Sequence, residues 1–354
     1  MNQVSILHPY LEGRRHQISS GLYPRQHLWG VEGLESDESM NACLIPAQQT
    51  VIPEILSKIL NRLLFQRTSS VELEITALKN SSHCQLLYSV SGPLGLARFH
   101  HSKSKLVSWV FRKPLNLPKS PLHPYHPKNL RRHSGIFCLT PKAESFFSQY
   151  APSKFIPWCV DLELFDGKPA KEKPERPFFL ATGKTGRDYE TLVKGGAEVD
   201  AEIRIIGPDW QKPLALPPNV KWLDTSSDPP DKAIDYPTLR NWYAQCQAVC
   251  IPLSGDSDDT CGYTNMLEAM AMAKPVLMTD SGALNLDPKD RGFGYLIEPQ
   301  DSNGWIRSMK EVIDQPIAND QMGRTGREIA EREFSIERFD QDILAFLQEI
   351  LHAQ

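Results

Sequence analysis

The stretch GYTNMLEAMAMAKPVLMTDSG, residues 262–282, decides the fold. Its first half, TNMLEAMAMA, is rich in small and helix-forming residues and begins two residues after Gly262. Its second half, KPVLMTDSG, is a short apolar run bounded by proline and glycine, which predicts a buried strand. A helix that leads directly into a buried strand is the repeating unit of a parallel α/β sheet.

The same alternation extends over the second half of the chain. Apolar runs predict strands at PFFLATG, AEIRIIG, VKWLD, AVCIPL, KPVLMTDSG and GYLIEP. Helical patterns lie between or after them at DYETLVKGG, YPTLRNWYAQC, TNMLEAMAMA and NGWIRSMKEVID, with a last helix from about 336 to 351. This pattern predicts a doubly wound α/β domain.

The first half is less regular. Short apolar runs predict strands at residues 4–8, 41–45, 84–90, 105–111 and 135–140. Helical spacing is found in PEILSKILNRLLFQ (53–66) and PKAESFFSQY (141–150), whereas residues 114–133 have the composition of a loop. The polar, proline-rich stretch at 167–177 has the composition of a linker.

Bulk composition excludes several classes of protein. A chain of 354 residues with 40% hydrophobic and 23% charged residues is globular and long enough for two domains. No run approaches the roughly 20 apolar residues of a membrane-spanning helix, and the N-terminus lacks the pattern of a secretory signal. We therefore expect a cytoplasmic protein. Its seven cysteines include the pair Cys246 and Cys250, but no second pair completes a zinc site, so reduced thiols are expected.

Charge divides the chain into two halves. Residues 1–170 contain 19 Lys and Arg against 12 Asp and Glu, and residues 171–354 contain 20 against 31. The basic half would suit an anionic membrane surface or an acidic acceptor, and simple compositional drift is the alternative. No feature of the sequence indicates nucleic-acid binding.

Two loops at predicted strand ends carry residues suited to a nucleotide. In residues 182–188, TGKTGRD, glycines allow close approach of the backbone, while Lys184 and Arg187 place two cations before a helix. A diphosphate would fit there, and an ordinary solvated turn is the alternative. Residues 258–265 lead into the helix of Glu268, whose carboxylate could accept two ribose hydroxyls or simply complement the helix dipole. Gly207 ends a third strand and would admit a flat ring.

Three segments resemble the retaining glycosyltransferases of the GT-B fold, specifically the large family-4 type. IPWCVDLELF (156–165) resembles the family's IPxGVDxxxF stretch, and ATGKTGRDYETL (181–192) resembles its GRxxxxKG region. Residues 262–282 resemble the segment GxxxxEAMAxGxPVI. The resemblance is clearest across about 155–335, and it implies an α/β protein with two Rossmann-like, doubly wound domains that face each other across a cleft.

The resemblance also implies a division of labour. Residues 1–160 would form an acceptor-binding Rossmann-like domain, in which LWGVEGLES (28–36) is the first helix. Residues 161–335 would form the nucleotide-sugar-binding domain, and residues 336–354 a helix that crosses back to the first domain.

The family's functional residues carry over onto named positions. Lys184 takes the place of the first diphosphate-binding cation, Arg187 supplies the second, and Glu268 matches the ribose-binding acid. The remaining binding residues implied are small or polar and lie at strand ends or at the helix start: Gly183, Gly207, Gly262, Tyr263, Thr264 and Asn265.

The sequence departs from the family at several positions. Thr260 stands eight residues before Glu268, where the family has a sugar-facing glutamate, and it joins Lys184 and Arg187 as a catalytic candidate. Cys159 and Ala273 each replace a usual glycine.

The family often has a histidine near the reacting sugar, where this chain has Arg112. His27, His100 and His101 are loop candidates for that role, although each is also typical of a surface or capping histidine.

The function implied is retaining transfer of a hexose from a nucleotide sugar, with UDP-hexose favoured, to a lipid, polysaccharide or metabolite acceptor. Helix N-termini together with Lys184 and Arg187 could stabilise the leaving diphosphate without a metal, and no cofactor is expected. The pair Asp258 and Asp259 is interpreted as loop solubility, with a metal role as the alternative. A sugar-nucleotide epimerase of the same fold and a catalytically silent sugar-nucleotide-binding protein are the alternatives. The amphipathic stretch 53–66 is either a core helix or a peripheral contact with the inner membrane face.

Overall fold

A computed structural model describes residues 1–46, 52–63, 70–100, 103–114, 116–170, 172, 174–225, 234–255, 260–281 and 286–353. The chain forms two compact units that are each assembled from separate stretches. Unit 1 comprises Met1–His16, His27–Pro157 and Glu337–Gln354, and unit 2 comprises Gln17–Gln26 and Trp158–Ile336.

Unit 1 is built on six parallel strands, namely β1 (Asn2–Leu7), β2 (Met40–Leu44), β3 (Leu86–Ser89), β4 (Lys105–Val110), β5 (Gly135–Cys138) and β6 (Ser153–Phe155). Their order in the sheet is β2-β1-β3-β4-β5-β6, so the chain changes direction across the sheet between β1 and β3. The five strands predicted in this half are all present. The three-residue strand β6 was not predicted, because it is too short to show a pattern.

Helices cover this sheet and fill the connections between its strands. They are α1 (Leu11–Ser19), α2 (Val31–Ser36), α3 (Glu54–Leu63), α4 (Val71–Asn80), α5 (Pro127–Leu130), α6 (Pro141–Phe147) and, at the end of the chain, α12 (Ile336–His352). The last helix packs on unit 1: Phe339 stacks on Trp109 with ring centroids 5.5 Å apart, and Phe346 meets Phe137 edge-on at 5.0 Å. Aromatic packing of this kind fixes the C-terminal helix on the sheet.

Unit 2 is built on a second sheet of six parallel strands, namely β7 (Phe178–Thr182), β8 (Glu202–Gly207), β9 (Val220–Asp224), β10 (Val249–Ile251), β11 (Val276–Thr279) and β12 (Gly294–Ile297). The order β12-β11-β10-β7-β8-β9 is that of a doubly wound dinucleotide-binding sheet. The direction of winding reverses between β7 and β10, where such sheets bind ligands at their carboxyl ends.

The helices of unit 2 are α7 (Tyr189–Gly196), α8 (Tyr236–Gln245), α9 (Tyr263–Ala271), α10 (Ser302–Asp314) and α11 (Pro316–Glu333). Aspartates cap three of them, since the side chains of Asp188, Asp235 and Asp301 accept from backbone N–H groups in the first turns of α7, α8 and α10. The two doubly wound parallel sheets confirm the predicted α/β fold class.

Several details differ from the sequence-based expectation. Helices α1 and α4 were not predicted, and the first predicted helix, at 28–36, is confined to Val31–Ser36. The expected loop at 114–133 contains the short helix α5, which begins at Pro127. Helix α11 was not predicted.

The core-helix alternative for residues 53–66 is wrong for the described part of that stretch, because α3 has no buried residue.

No helix in the described part of the chain is both long and apolar enough to cross a membrane.

Candidate functional site

The point where unit 2 reverses its winding is marked by two loops that are hydrogen-bonded to each other. Asp188 N donates to the carbonyl of Pro252 at 3.1 Å, and Ser254 N donates to the carbonyl of Gly186 at 3.0 Å. An isolated antiparallel bridge also joins Arg187 to Leu253. We call residues 182–188 and 252–254 the strand-end platform. The hydrogen bonds within it hold residues 182–188, the predicted diphosphate loop, against residues 252–254, which follow β10.

Arg187 lies inside this platform, with only 9% of its surface exposed. Its Nε donates to the carbonyl of Thr182 and its NH1 to that of Thr185, both at 3.0 Å, while NH2 donates to Asn265 Oδ1 at 2.6 Å. The loop lies so close to the guanidinium that a side chain at Gly183, where φ is 118°, would overlap it. Arg187 therefore organises the loop and joins it to helix α9.

Lys184 has a different environment. It is exposed at the tip of the same loop, and among the described residues no ion pair involves its ammonium group. Its charge is therefore available to an anion that approaches the platform from solvent.

The N-terminus of α9 adjoins the platform. Gly262 occupies the N-cap position with φ of 85°, and no side chain caps the helix. A Cβ there would lie 2.5 Å from Ile251 Cγ2, so only glycine fits this close approach to β10. The first turn of α9 contains no acidic residue, and Thr264 is only half-buried. An uncapped helix start of this kind favours an anion.

Asn265 connects the platform to the interior of the unit. Its Nδ2 donates to Thr182 Oγ1 at 2.6 Å and, more weakly, to the Tyr243 hydroxyl at 3.4 Å. Because its Oδ1 accepts from Arg187, the amide has partners on both sides. Asn265 is thus held in one orientation.

Glu268 lies one turn further along α9 and is 2% exposed. Its Oε2 accepts from the Tyr243 hydroxyl at 2.9 Å, and its Oε1 accepts from Gln26 Nε2 at 3.3 Å. Burial away from water disfavours the charged form and raises the pKa of Glu268 to about 7, although hydrogen bonds from Tyr243, Gln26 and Asn265 partly offset the rise. The carboxyl group is thus poised between its two charge states near neutral pH.

Gln26 and Tyr243 are site residues that the sequence analysis missed. Gln26 belongs to the segment Gln17–Gln26 of unit 2; its Oε1 accepts from Asp161 N at 2.7 Å, while Asp161 Oδ2 accepts from Arg25 N at 2.9 Å. Tyr243 is fully buried near the end of α8, and burial together with the neighbouring Glu268 raises the pKa of its hydroxyl. Neither residue belongs to a recognisable motif, so only the fold reveals their role.

Gly207 lies at the end of β8 as predicted, but protein rings occupy the space beside it. A Cβ at Gly207 would lie 2.9 Å from Tyr189 Cε2 and 3.1 Å from Trp222 Cζ2. The Tyr189 hydroxyl in turn donates to the carbonyl of Gly183 at 2.6 Å. Gly207 therefore supports the platform through Tyr189.

Thr260 and Cys261 precede the helix start on the same side of the sheet. The carbonyl of Thr260 accepts from Tyr263 N at 3.2 Å, and a Cβ at Gly186 would lie 3.1 Å from Cys261 Sγ. Cys261, just before α9, therefore adjoins the predicted diphosphate loop. The preceding pair, Asp258 and Asp259, lies outside the described residues.

The histidine candidates belong to unit 1. Burial lowers the pKa of His27 to about 4, so the ring is neutral at physiological pH. His100 is 9% exposed, with its Nε2 2.9 Å from Ser104 Oγ, and His101 lies outside the described residues. His8, which the sequence analysis did not single out, directly follows β1 and lies with Nε2 3.0 Å from the carbonyl of His27. Arg112 is exposed at the end of β4.

Two six-stranded, doubly wound parallel sheets, each flanked by helices, define an α/β protein with two Rossmann-like domains, which is the fold that the resemblance to GT-B enzymes implies. Residues 189–315 match the sequence family described as glycosyl transferases group 1. This match confirms, over that segment, the resemblance stated from the sequence.

Solved structures extend the likeness over the full length. A sucrose-phosphate synthase from Thermosynechococcus elongatus superposes with a TM-score of 0.65 at 14% identity, covering 100% of both chains. HepE from Anabaena, in complex with UDP and glucose, gives 0.62 at 14% identity and covers 98% of this chain and 99% of its own. A UDP-forming α,α-trehalose-phosphate synthase from Burkholderia vietnamiensis gives 0.57 at 10% identity, with 98% and 96% covered. These likenesses establish the fold. Comparison with curated protein sequences gives no match.

Proposed function

We propose that this chain is a retaining glycosyltransferase that moves a hexose from a nucleoside-diphosphate sugar to a sugar, lipid or metabolite acceptor. One observation supports the proposal above all: a continuous run of hydrogen bonds joins Arg187, Asn265, Tyr243 and Glu268 at the winding reversal of unit 2. Basic, amide and carboxyl groups in that order suit a ligand with phosphates at one end and a polyol at the other.

In this proposal the diphosphate binds between Lys184 and the start of α9. Lys184 supplies a solvent-facing cation, and the backbone amides at the start of α9, those of Gly262 and Thr264, supply oriented dipoles. Arg187 holds the loop of Lys184 against the start of α9 through its hydrogen bond to Asn265. Such groups can stabilise a leaving diphosphate as its charge develops, so we propose a reaction that needs no metal.

We assign the ribose to Glu268, where a ribose hydroxyl would replace Gln26 as the hydrogen-bond donor to Oε1. The bond from Gln26 to Oε1, at 3.3 Å, is longer than the 2.9 Å bond from Tyr243 to Oε2. A ribose hydroxyl can donate to Oε1 once Gln26 releases it, while Tyr243 continues to hold the carboxylate.

Thr260 is assigned to the sugar end. Its hydroxyl can donate or accept a hydrogen bond but carries no charge, in contrast to the family's glutamate at this position. In the proposed reaction the acceptor oxygen attacks on the face from which the diphosphate departs. The carbon–oxygen bond to the diphosphate breaks, and a leaving phosphate oxygen takes the acceptor's proton.

The donor's base and sugar are proposed to be uracil and a hexose. HepE, one of the structures with this fold, is described with UDP and with UDP-glucose, and the trehalose-phosphate synthase is described as UDP-forming. Residues 161–335 would hold this donor, and residues 1–160 would bind the acceptor.

A panel of nucleotide sugars tests the proposal. A specific donor should raise the melting temperature by mass action, and an acceptor pool should then release nucleoside diphosphate. Lys184→Ala should abolish most of the stabilisation, whereas Lys194→Ala, which removes another exposed lysine of unit 2, should retain it. No stabilisation by any nucleotide sugar would contradict the proposal.

The same assay separates the second candidate. Because Thr260 replaces a usual acid, a catalytically silent sugar-nucleotide-binding protein is the alternative with a specific residue behind it. It predicts donor stabilisation without nucleotide release against any acceptor. Conversion of the donor sugar without nucleotide release would instead indicate an epimerase.

A further inference from the structure

Helix α3 of unit 1 is amphipathic, but its polar side faces the protein. Asn61 Oδ1 accepts from the backbone N–H of Val71 at 2.7 Å, and Asn61 Nδ2 donates to Ser57 Oγ at 3.2 Å. Asn61 therefore attaches α3 to the start of α4, and Ser57, one turn earlier on the same side of α3, holds the Asn61 amide. This is the reverse of the usual surface helix, which turns its apolar side to the core.

The opposite side of α3 presents a stripe of large aliphatic residues to solvent. We call this the outward face, and it consists of Ile55, Leu56, Ile59 and Leu63. Their exposed fractions are 77%, 46%, 50% and 54%. Spacings of three and four residues place them on one side of the helix. Isolated exposed hydrophobic residues are common, but a contiguous stripe of this kind marks an interaction surface.

Basic residues border the outward face. Lys58 and Arg62 follow Ile55 and Ile59 by three residues and are exposed, and Lys58 forms a surface ion pair with Glu54 at 2.6 Å. Beyond the helix, residues 75–143 contain eleven Lys and Arg and not one Asp or Glu. Unit 1 as a whole therefore carries more basic than acidic side chains.

A second exposed apolar group lies close to the same neighbouring helix. Phe99 is 55% exposed, and the guanidinium carbon of Arg98 lies 5.9 Å from its ring centroid. The turn before it is fixed to α4, since Glu74 accepts from the backbone N–H groups of Gly95 and Leu96 at 3.1 and 2.9 Å. Glu74 is one turn along α4 from Val71, which anchors α3, so both apolar groups border the start of α4.

We propose that α3 inserts its outward face into the surface of an anionic lipid bilayer. Large aliphatic residues bordered by Lys and Arg are the composition of interfacial helices, whose basic side chains reach the headgroups while the apolar side chains enter the acyl region. A second copy of the chain fits less well, because it would bring an equally basic surface against this one. An anionic bilayer supplies both the apolar medium and the opposite charge.

Vesicle co-sedimentation of the full chain tests the proposal, without nucleotide sugar, so its outcome is independent of the proposed transferase activity. Vesicles of phosphatidylcholine alone are compared with vesicles that also contain phosphatidylglycerol. The triple variant Ile55→Ser, Ile59→Ser, Leu63→Ser removes most of the outward face. Ile317→Ser, in α11 of unit 2, is the matched control because Ile317 is 87% exposed outside that face.

The wild type and Ile317→Ser should bind anionic vesicles, and the triple variant should bind them at least about tenfold more weakly. Lys58→Gln combined with Arg62→Gln should weaken binding by about fivefold per charge, and this loss should diminish at high salt. Melting temperatures of all variants should match the wild type, since the altered side chains face solvent.

Three results would overturn the proposal. The first is equal vesicle binding by the wild type and the triple variant. The second is no binding of the wild type to anionic vesicles. The third is a dimer that the triple variant converts to a monomer, which would identify a second copy as the occupant of the outward face. The charge variant keeps the test decisive if the triple serine variant fails to fold.

Discussion

Replacement of Glu268 by glutamine isolates the carboxylate that we assign to the ribose. The amide keeps the size of the side chain but removes its charge and one of its two acceptor oxygens. The geometry restricts how the amide can sit, because Gln26 Oε1 is already engaged by Asp161 N, and Gln26 Nε2 must therefore face position 268. The new amide nitrogen is thus directed towards Tyr243.

The expected loss of donor affinity follows from the bonds concerned. A hydrogen bond to a charged group contributes about 1.5–3 kcal/mol, which corresponds to a Kd raised roughly 10- to 150-fold. Glu268 also links affinity to pH, since its pKa is raised to about 7 by burial. If only the ionised form accepts ribose hydroxyls, wild-type affinity should be about tenfold weaker at pH 6 than at pH 8. The variant should show no such dependence.

Isothermal titration with an intact nucleotide sugar measures both effects. The diester-like diphosphate of such a donor does not titrate in this range, whereas the terminal phosphate of a free nucleoside diphosphate does. Glu328→Gln, an exposed substitution in α11, is the matched control and should retain wild-type affinity at both pH values. Equal donor affinity in the wild type and Glu268→Gln at pH 8 would refute the assignment. So would a pH dependence that survives the substitution.

Three further predictions concern stability and the division of roles. Lys184→Ala should weaken donor binding about tenfold with an unchanged melting temperature of the unliganded protein. Arg187→Ala should lower folding stability by about 2–4 kcal/mol in thermal unfolding, because it removes the donor for Asn265 Oδ1 and for two carbonyls. Ala273→Gly should stabilise the protein by about 0.5–1 kcal/mol, because Ala273 has φ of 52° in the left-handed region; an unchanged or lower melting temperature would contradict this. Because the folded-state pKa of Glu268 is raised, the folded protein holds its proton more tightly, so wild-type stability relative to Glu268→Gln should fall by about 3 kcal/mol as pH rises from 4.5 through 7.

The fold was predictable because buried parallel strands leave an unambiguous pattern. β7 is fully buried, β8 is buried apart from Arg204, and both appear in the sequence as apolar runs that end in a small residue or glycine. The family's glycine at the position of Ala273 also has a structural explanation, since Ala273 adopts a left-handed backbone with φ of 52°. The hydrophobic pattern did not reveal β6, because it has only three residues, or α11, because it is largely polar.

The site was only partly predictable, because sequence motifs identify residue types but not their partners. Lys184 and Arg187 looked equivalent as two cations on one loop, yet one is exposed and the other is buried and fully engaged with Thr182, Thr185 and Asn265. Their difference depends on how tightly the loop curls. That curl depends on Gly183, whose φ of 118° no other residue adopts easily.

Hydrogen-bond partners that are distant in sequence could not be predicted either, because a motif does not show which residues the fold brings together. Gln26 and Glu268 are 242 positions apart, and a glutamine in a short turn carries no signal of its own. Helix α3 shows the same limit in another form. Its periodicity was plain from the sequence, but periodicity cannot show which side faces the protein, and here the hydrogen bonds of Asn61 decide it.

In the proposed complex a fully buried carboxyl group binds the ligand, and the contacts of Glu268 explain how this can occur. Desolvation of this group is already part of the folded state, and its Oε2 is held by Tyr243 at 2.9 Å. When a ribose hydroxyl replaces Gln26 Nε2 at Oε1, one hydrogen bond is exchanged for another, so the exchange itself is nearly neutral. The net gain comes from the difference in quality between a 3.3 Å amide contact and a well-placed hydroxyl bond to an ionised acid. The charge of an ionised Glu268 therefore makes the hydrogen bond from the ribose stronger than the bond from Gln26 that it replaces.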